Sequence, residues 1–536
     1  MQLMADLKVL VADKIAEEGL ARLRATQGLL VDVRTGLSPA DLAAIVGDYD
    51  GLIIRSGVKV TAEVFAKPGR LRVIARAGVG VDNVDVPAAT AAGVLVMNTP
   101  DANTISTAEH TMAMLLALMH RIPDAHAHVR NGAWDRAAFV GRQLAGKTLG
   151  IVGLGRVGRA VAERALAFGM DVWAFDPFVS GETALDGAVR IAPSLDDLLG
   201  RVDCLTLHAA LTGDNKHLIG AAQLARMKPS AVLVNCARGA LVDESALADA
   251  LNSGRLAGAA IDVFANEPPV GSPLPGAKNI VLTPHLGAST AEAQTAVSTD
   301  AVDELLDYLL HGRIRGAVNV AGLPANLTDR DRAYLDLTAR MAAVLAPFCA
   351  DGVDRVLLAT HGEQHLTALC PTLALQALAE LMSPHIEGRL NLVNAAAFAR
   401  QRGIDVQNAA HSAQRDYLET VTIEIERRGA KHAVEGAVFV DGRPRILAID
   451  GYRMEMVPEG PLVLIFNDDR PGVIGVVGTL FGDRQINIAD MFLSRRDRTA
   501  LMVLRLDAQP PAHVLDALRA HAAIVSVQTV ALPPLR

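Results

Sequence analysis

Residues 148–158 read TLGIVGLGRVG, followed by RAVAERALAFG (159–169) and DVWAFD (171–176). An apolar, β-branched run leads into glycines spaced G-x-G-x-x-G, and an alanine-rich helical pattern begins at once. Strand, turn, helix and a carboxylate at the end of the next strand, Asp176, follow in the order of a dinucleotide-binding unit. In that setting Gly153, Gly155 and Gly158 let backbone amides approach a pyrophosphate at a helix N-terminus, and Asp176 holds ribose hydroxyls. The same carboxylate would repel a ribose phosphate, and no arginine follows it in DPFVSG, so NAD is favoured over NADP.

Outward from this unit, DCLTLH, AVLVNCA, GAAIDVF and NIVLTPH are near-continuous apolar runs, as strands covered on both faces should be. Upstream, KVLVAD, LLVDV, GLIIR, LRVIARAG and GVLVMN alternate with helical stretches such as DKIAEEGLARLRA, which predicts a second wound parallel sheet. The helical pattern DANTISTAEHTMAMLLALMH is expected to bridge the two units, with Thr104, Ser106 or Thr107 near its cap. A helix over 289–312 is expected to return the chain to the first unit. Pro324 marks a linker, and two helical blocks, LTALCPTLALQALAELM and NLVNAAAFARQRG, lead to the alternating segments VTIEIERRG, AVEGAVFV and RPRILAIDGYRMEM, an α+β module. After VPEGP a last unit reads βαββαβ. Its own glycine cluster, GVIGVVG (472–478), falls inside a predicted helix, where small residues are expected to allow close packing; no acid is placed to complete a second nucleotide site.

With 536 residues the chain needs several cores, and with 51% hydrophobic but only 4% aromatic residues those cores are built from Ala, Val and Leu. A net charge of -8 and the absence of basic runs argue against nucleic acid or a membrane surface as partner. Cys204, Cys236, Cys349 and Cys370 show no CxxC spacing, so neither disulfides nor zinc are expected and a reducing cytoplasm is the plain inference. The N-terminus enters a strand-like run with no leader pattern, and MAMLLALM (112–119) is too short for a membrane helix, so a soluble protein is expected. His120, His126 and His128 have no Cys or acidic cluster with them and read as an exposed helix end; no metal is expected.

Three strand-end segments carry chemistry. LVNCARGALVD places Arg238, a guanidinium fork suited to a carboxylate. VFANEPP places Glu267, and LTPHLGAST places His285, whose imidazole suits proton exchange near neutrality. Singly they read as a surface ion pair, a solvated acid and a satisfied histidine. Together, at the strand ends where open α/β sheets bind ligands, they fit a hydride-transfer site.

GLGRVGRAVAERALAFGMDVWAFDP, VNCARGALVDESAL, FANEPP and TPHLGAST resemble the D-2-hydroxyacid dehydrogenases, and the likeness extends through RAGVGVDNVDVPAATAAGVLVMNTPDANTISTAEH to nearly the whole chain. Within that family the chain is similar to the long branch acting on 3-phosphoglycerate at the start of L-serine synthesis. The resemblance implies an α/β architecture in four domains. A flavodoxin-like substrate domain spans 1–98 and 287–319, a Rossmann-like NAD domain 99–286, an α+β intervening domain (allosteric substrate-binding-like) 320–457, and a βαββαβ ACT regulatory domain 458–536. It implies Arg238, Glu267 and His285 as catalytic, and Arg156, Val157, Thr206, His208, Ala237, Asp262 and Gly287 along the NAD beside the glycines and Asp176. Arg55, Ser56, Arg76, Gly78, Val79, Asn103 and Arg136 are implied as substrate-binding. Trp134 lies in a loop that crosses to a neighbouring subunit in relatives, which implies a homo-oligomer, dimer or tetramer.

For the last domain the resemblance, carried by DRPGVIGVVGTLFGDRQINIADM, implies L-serine bound as effector between paired ACT domains by Asn467, Asp469, Asn487 and Ile488; Asn467 stands where relatives commonly carry His or Tyr. The intervening domain, on EGAVFVDGRPRILAIDGYRMEM, implies an anion site for which Lys431, Arg443, Arg445 and Arg453 are candidates, a solvated basic face being the alternative. Two other readings stay open: a reductase for hydroxypyruvate or 2-oxoglutarate, and a non-catalytic NAD-responsive regulator.

Overall fold

The computed structural model describes residues 7–179, 181–320, 322–323, 327–362, 364–386, 389–411 and 418–535. Pro324 lies outside the described residues. Strands Leu7–Val11, Leu29–Val33, Gly51–Ile54, Val73–Arg76 and Leu95–Asn98 (β1–β5) form a parallel sheet in the order β2-β1-β3-β4-β5. Alternation along its strands explains why both faces are covered. Val9, Val11, Ile53, Val73 and Ala75 pack with Leu23, Val297, Val302 and Leu305 on one side. Leu10, Leu52, Ile54 and Ile74 pack with Leu42, Val64 and Phe65 on the other. Helix Ala291–His311, capped by Thr290 and ended at Gly312 (φ 66°), therefore does return to this first sheet.

Strands Thr148–Val152, Asp171–Phe175, Thr183–Ala184, Val189–Ile191, Cys204–Leu207, Val232–Asn235, Gly258–Ile261 and Ile280–Leu282 (β6–β13) form the second sheet, ordered β13-β12-β11-β10-β6-β7-β9-β8. All pairs are parallel except β8 with β9. The order reverses at β6, so the crevice between β6 and β10 lies beside the glycine turn. The two short strands β8 and β9 were not read from the sequence, because two or three residues carry no period. Helix Thr104–Met119 packs through Ala108, Met112, Leu115 and Met119 with Val161 and Ala165 of the helix after the glycines.

Strands Arg355–His361, Asp405–His411, Thr420–Arg427, Ala430–Val438, Pro444–Ile449 and Tyr452–Met456 (β14–β19) make a mixed sheet, ordered β15-β14-β16-β17-β18-β19, with only β14 and β15 parallel. The sequence reading missed β14, β15 and helix Asp329–Leu345. It also took 112–119 as the longest apolar run. A helix over 365–385 is long and apolar enough to cross a membrane, but 61% of its apolar window is buried against the sheet and the helix before it, where an apolar surface all round is what a core helix needs. Lys431 lies at one end of β17 and Arg443 and Arg445 beside the other, and Lys431 is ion-paired with Glu424 at 2.8 Å, so Lys431 does not converge with those two arginines.

The last unit is βαββαβ as expected: strands Gly460–Asp468, Ile488–Arg496, Thr499–Leu506 and Ile524–Leu532 (β20–β23), ordered β21-β22-β20-β23, with helices Val473–Gly482 and Ala512–Arg519 on one face. Leu462, Leu464, Leu501 and Val503 on the other face join the intervening-domain core. The expected close packing of the second glycine cluster is corrected by the structure. Val473, Val477 and Phe481, one helical turn apart, make the buried stripe, while a Cβ on Gly475, Gly478 or Gly482 would meet nothing within 4 Å.

Candidate active site

The glycine turn divides its work among three residues. Gly153 sits at φ 91°, where its built Cβ would lie 2.8 Å from the Ala209 amide nitrogen, so strand β6 can reach the end of β10 closely. A Cβ on Gly158 would lie 2.2 Å from the Gly153 carbonyl oxygen, which fixes the helix against the turn. Gly155, at the helix N-cap, faces open space. That opening, backed by the amides of the first turn, fits a pyrophosphate. Asp176 follows β7 and accepts hydrogen bonds from the Leu154 amide (2.8 Å) and the Phe178 amide (2.9 Å), so the carboxylate stands against the glycine turn as a ribose site requires. Arg156 and Val157 open the helix, and Arg156 is ion-paired with Asp101. Thr206 donates toward or accepts from His208 Nε2 at 3.0 Å at the end of β10, and burial pushes the His208 imidazole down to about 4, leaving it neutral at physiological pH.

Arg238 follows β11, Glu267 follows β12 and His285 follows β13, so three neighbouring strands deliver them to one edge. His285 Nδ1 is 2.7 Å from Glu267 Oε2, and Glu267 Oε1 accepts from the Phe264 amide at 3.1 Å. His285 has φ 57°, an uncommon conformation for a non-glycine residue. Its amide donates to the Asp262 carbonyl at 2.8 Å. The Asp262 carboxylate is buried and accepts from the Thr283 hydroxyl (2.6 Å), the Leu286 amide (2.7 Å) and the Gly287 amide (3.0 Å), with His110 Nε2 at 3.1 Å. Burial by itself would raise this carboxyl, but hydrogen bonds from His110, Thr283 and the Leu286 amide outweigh it and hold it below the ordinary value. Gly287 is held from the other side, its carbonyl accepting from Ser106 (2.8 Å) and Thr107 (3.2 Å).

The outer lobe supplies cations. Arg55 follows β3 and Arg76 ends β4. Arg238 Nε donates to Asp82 of this lobe at 3.1 Å, which draws the catalytic-lobe arginine to the cluster. Burial pushes the Arg76 guanidinium down to about 10; Arg238 and Arg55 push the same way against Asp82, so positive charges crowd one place. Arg76 Nε and Asn103 Oδ1 are buried without a hydrogen-bond partner. The crowded guanidinium with its unpaired Nε–H gains by taking in an anion, whereas the Asn103 oxygen calls for a donor such as a hydroxyl. Gly78 and Val79 follow β4, with the Gly78 amide held by Thr99 (2.9 Å) and the Val79 carbonyl by Asn98; Ser56 is exposed beside Arg55. Ala237 carries the carbonyl that Arg238 Nη1 bonds at 2.7 Å.

Not every candidate converges. Arg136 is exposed near Trp134, itself 80% exposed, and among the described residues no contact joins it to Arg55 or Arg76. In the ACT domain, Asn467 and Asp469 lie where β20 meets the start of β22, whereas Asn487 and Ile488 lie beside its end, so the four candidates do not come together within one chain. Asp469 is paired with Arg495 (2.5 Å), and Asn487 with Asp507 (2.7 Å). His110, Thr283 and Asp82 were missed in the sequence. A signal existed for His110: from the N-cap onward, Asn103, Ser106, Thr107 and His110 are polar at i, i+3, i+4 and i+7, one face of the helix. His110, Cys236 and Asp262 also form the one metal-type trio among the described residues. Burial pushes the Cys236 thiol up to about 12 and the Asp262 oxygens are already engaged, so the trio reads as a hydrogen-bonded network.

The chain matches the NAD binding domain model of the D-isomer specific 2-hydroxyacid dehydrogenases over residues 112–287, the D-3-phosphoglycerate dehydrogenase intervening domain over 331–450, and the ACT domain over 462–523. It is 39% identical over 527 residues to D-3-phosphoglycerate dehydrogenase of Synechocystis sp., covering 98% of this chain and 95% of the relative. It is 40% identical over 517 residues to D-3-phosphoglycerate dehydrogenase of Methanocaldococcus jannaschii, covering 96% and 97%. Among solved structures, TT0316 protein from Thermus thermophilus is 40% identical with a TM-score of 0.54, covering 58% of this chain and all of that one. The chain belongs to the D-3-phosphoglycerate dehydrogenase family of NAD-dependent 2-hydroxyacid dehydrogenases.

Proposed function

We propose that this chain oxidises 3-phospho-D-glycerate at C2 to 3-phosphohydroxypyruvate, the first step of L-serine synthesis, under feedback by L-serine. One observation carries the reading: Arg238, from the strand next to those that deliver the Glu267–His285 pair, reaches the outer lobe through Asp82, where its charge adds to those of Arg55 and Arg76. NAD, when bound, supplies the hydride acceptor. Glu267 can only accept, so His285 donates from Nδ1 and its Nε2 is left with a lone pair for the C2 hydroxyl proton. Glu267 then stabilises the imidazolium. Arg238 binds the carboxylate and the C2 oxygen, and Arg55 and Arg76 bind the phosphate. The split of the effector residues between two ends of the ACT sheet supports a serine site completed by a second copy, and hence a homo-oligomer, dimer or tetramer. Four buried cysteines, none in a disulfide, support a reducing compartment, and we place the protein in the cytoplasm.

The test is NADH formation from 3-phosphoglycerate at alkaline pH, with and without millimolar L-serine. Turnover suppressed by serine is expected. Turnover indifferent to serine would leave the ACT domain structural, and NADH binding without turnover would point to another 2-hydroxy acid. His285→Ala should lower kcat by about 10²- to 10⁴-fold with NADH binding retained.

A further inference from the structure

Resting on that reading, we propose that His110 is a positioning residue for His285, acting through the Asp262 carboxylate. His285 stands on a short connection after β13 and has a left-handed backbone (φ 57°) that the chain would leave if it were free to. What holds it is Asp262. The Asp262 carbonyl takes the His285 amide, and its carboxylate takes the Thr283 hydroxyl on one side of His285 and the Leu286 and Gly287 amides on the other. One buried side chain thus fixes the segment before and after the proton-transfer imidazole.

That arrangement requires Asp262 to stay ionised, since a protonated carboxyl has fewer acceptor sites for the three donors. Asp262 is fully buried, so its charge needs a partner. His110 supplies a hydrogen-bond donor to it from helix Thr104–Met119, with Nε2 3.1 Å from Asp262 Oδ1 and 3.3 Å from Thr283 Oγ1. The other titratable neighbour, Cys236 at the end of β11, stays a neutral thiol because burial pushes it up to about 12. Glu267 faces the opposite ring atom, His285 Nδ1. The imidazole is therefore oriented by two carboxylates: Glu267 grips the ring, and Asp262, held by His110, grips the backbone beneath it.

The experiment compares His110→Leu with His110→Gln, whose side-chain amide can still donate toward Asp262. For His110→Leu, kcat with 3-phosphoglycerate should fall about 10- to 100-fold, the scale of a small misplacement of a reacting group. KM and the NADH dissociation constant should stay within about twofold. The acid limb of the kcat profile should move to higher pH, because burial then raises Asp262 against one opposing hydrogen bond fewer. His110→Gln should recover kcat to within about threefold and restore the limb. Wild-type kcat and an unmoved limb in His110→Leu would overturn the proposal, whatever the change in Tm. Equal losses in both variants, or a loss of NADH affinity matching the loss of kcat, would overturn it too. If His110→Leu does not fold, Thr283→Val removes another donor to the same carboxylate oxygen, and unchanged kcat there is equally fatal. A wild-type protein without turnover of 3-phosphoglycerate would instead sink the underlying reading.

Discussion

At the scale of single residues, two glycines three positions apart should respond in opposite ways to the same methyl group. Gly158→Ala drives a Cβ to within 2.2 Å of the Gly153 carbonyl, and the backbone there cannot yield cheaply. We expect a loss of about 1–3 kcal/mol in stability, read by thermal or denaturant unfolding. Gly155→Ala meets no protein atom, so its Tm should be that of the wild type. Its methyl instead occupies the opening before the helix, and NADH affinity should fall about tenfold or more by fluorescence titration. The sequence motif alone made these glycines equivalent. Arg238, Glu267 and His285 could be named because their chemistry is rare at successive strand ends, whereas nothing local distinguishes His110 from its polar neighbours Glu109 and Thr111 until Asp262 is placed beside it.

At the scale of elements, helix Asp329–Leu345 ties the intervening domain to the ACT domain. Arg340 is buried, pairs with Asp336 one turn earlier (2.7 Å), and donates to the carbonyls of Pro458 (2.8 Å), Pro533 (2.6 Å) and Pro534 (3.3 Å). Proline lacks an amide donor, so these segments have fewer ladder bonds to make, and the Arg340 guanidinium takes their carbonyls instead. Arg340→Met leaves those carbonyls short of a donor, and we expect about 2–4 kcal/mol of destabilisation. Uninhibited kcat should persist, while the serine response proposed above should weaken and proteolysis near 457–460 become faster. A variant that kept wild-type Tm and serine response would count against this docking role. The helix itself escaped sequence reading although its start is marked: Thr328 and Asp331 form a capping box. Its alternating charges, DRDRAYLDLTARM, obscured the buried stripe of Tyr334, Leu337, Met341 and Leu345.

At the scale of the molecule, the catalytic lobes, the exit to the regulatory domains and a cavity of about 200 Å³ meet at one acid. Glu304 lines that cavity with Thr99, Asp101, Arg156, Arg315 and Gly316, residues of the lobe crossover, the NAD lobe and the outgoing chain. Burial pushes its carboxyl up to about 8; Arg315 opposes this and Asp300 and Asp101 reinforce it. The folded protein therefore binds a proton that the unfolded chain releases above about 4.5, so stability declines as pH rises from about 4.5 to 8. Glu304→Gln should remove this decline. At pH 8 the variant should be more stable than wild type by about 1 kcal/mol or more, one pKa unit's worth, with the difference vanishing near pH 4.5. Parallel unfolding curves at both pH values would refute it. Elsewhere, Arg389 donates to the carbonyls of Gly69 and Leu71, and Asn391 to that of Gly93, so the intervening domain also rests on the outer lobe.

The sequence by itself determined the parts whose signal is local. Glycine spacing, strand runs buried on both faces, the βαββαβ rhythm and the residue types at strand ends are set within about ten neighbouring positions, where sterics and periodicity act. Only the tertiary structure decided what depends on distant partners. It placed Asp262 under His285, gathered Arg76 and Arg238 from different lobes, turned the second glycine cluster outward, and set Asn467 and Asp469 at the other end of β22 from Asn487 and Ile488. Burial and charge are properties of three-dimensional surroundings, and no stretch of chain carries its own surroundings with it.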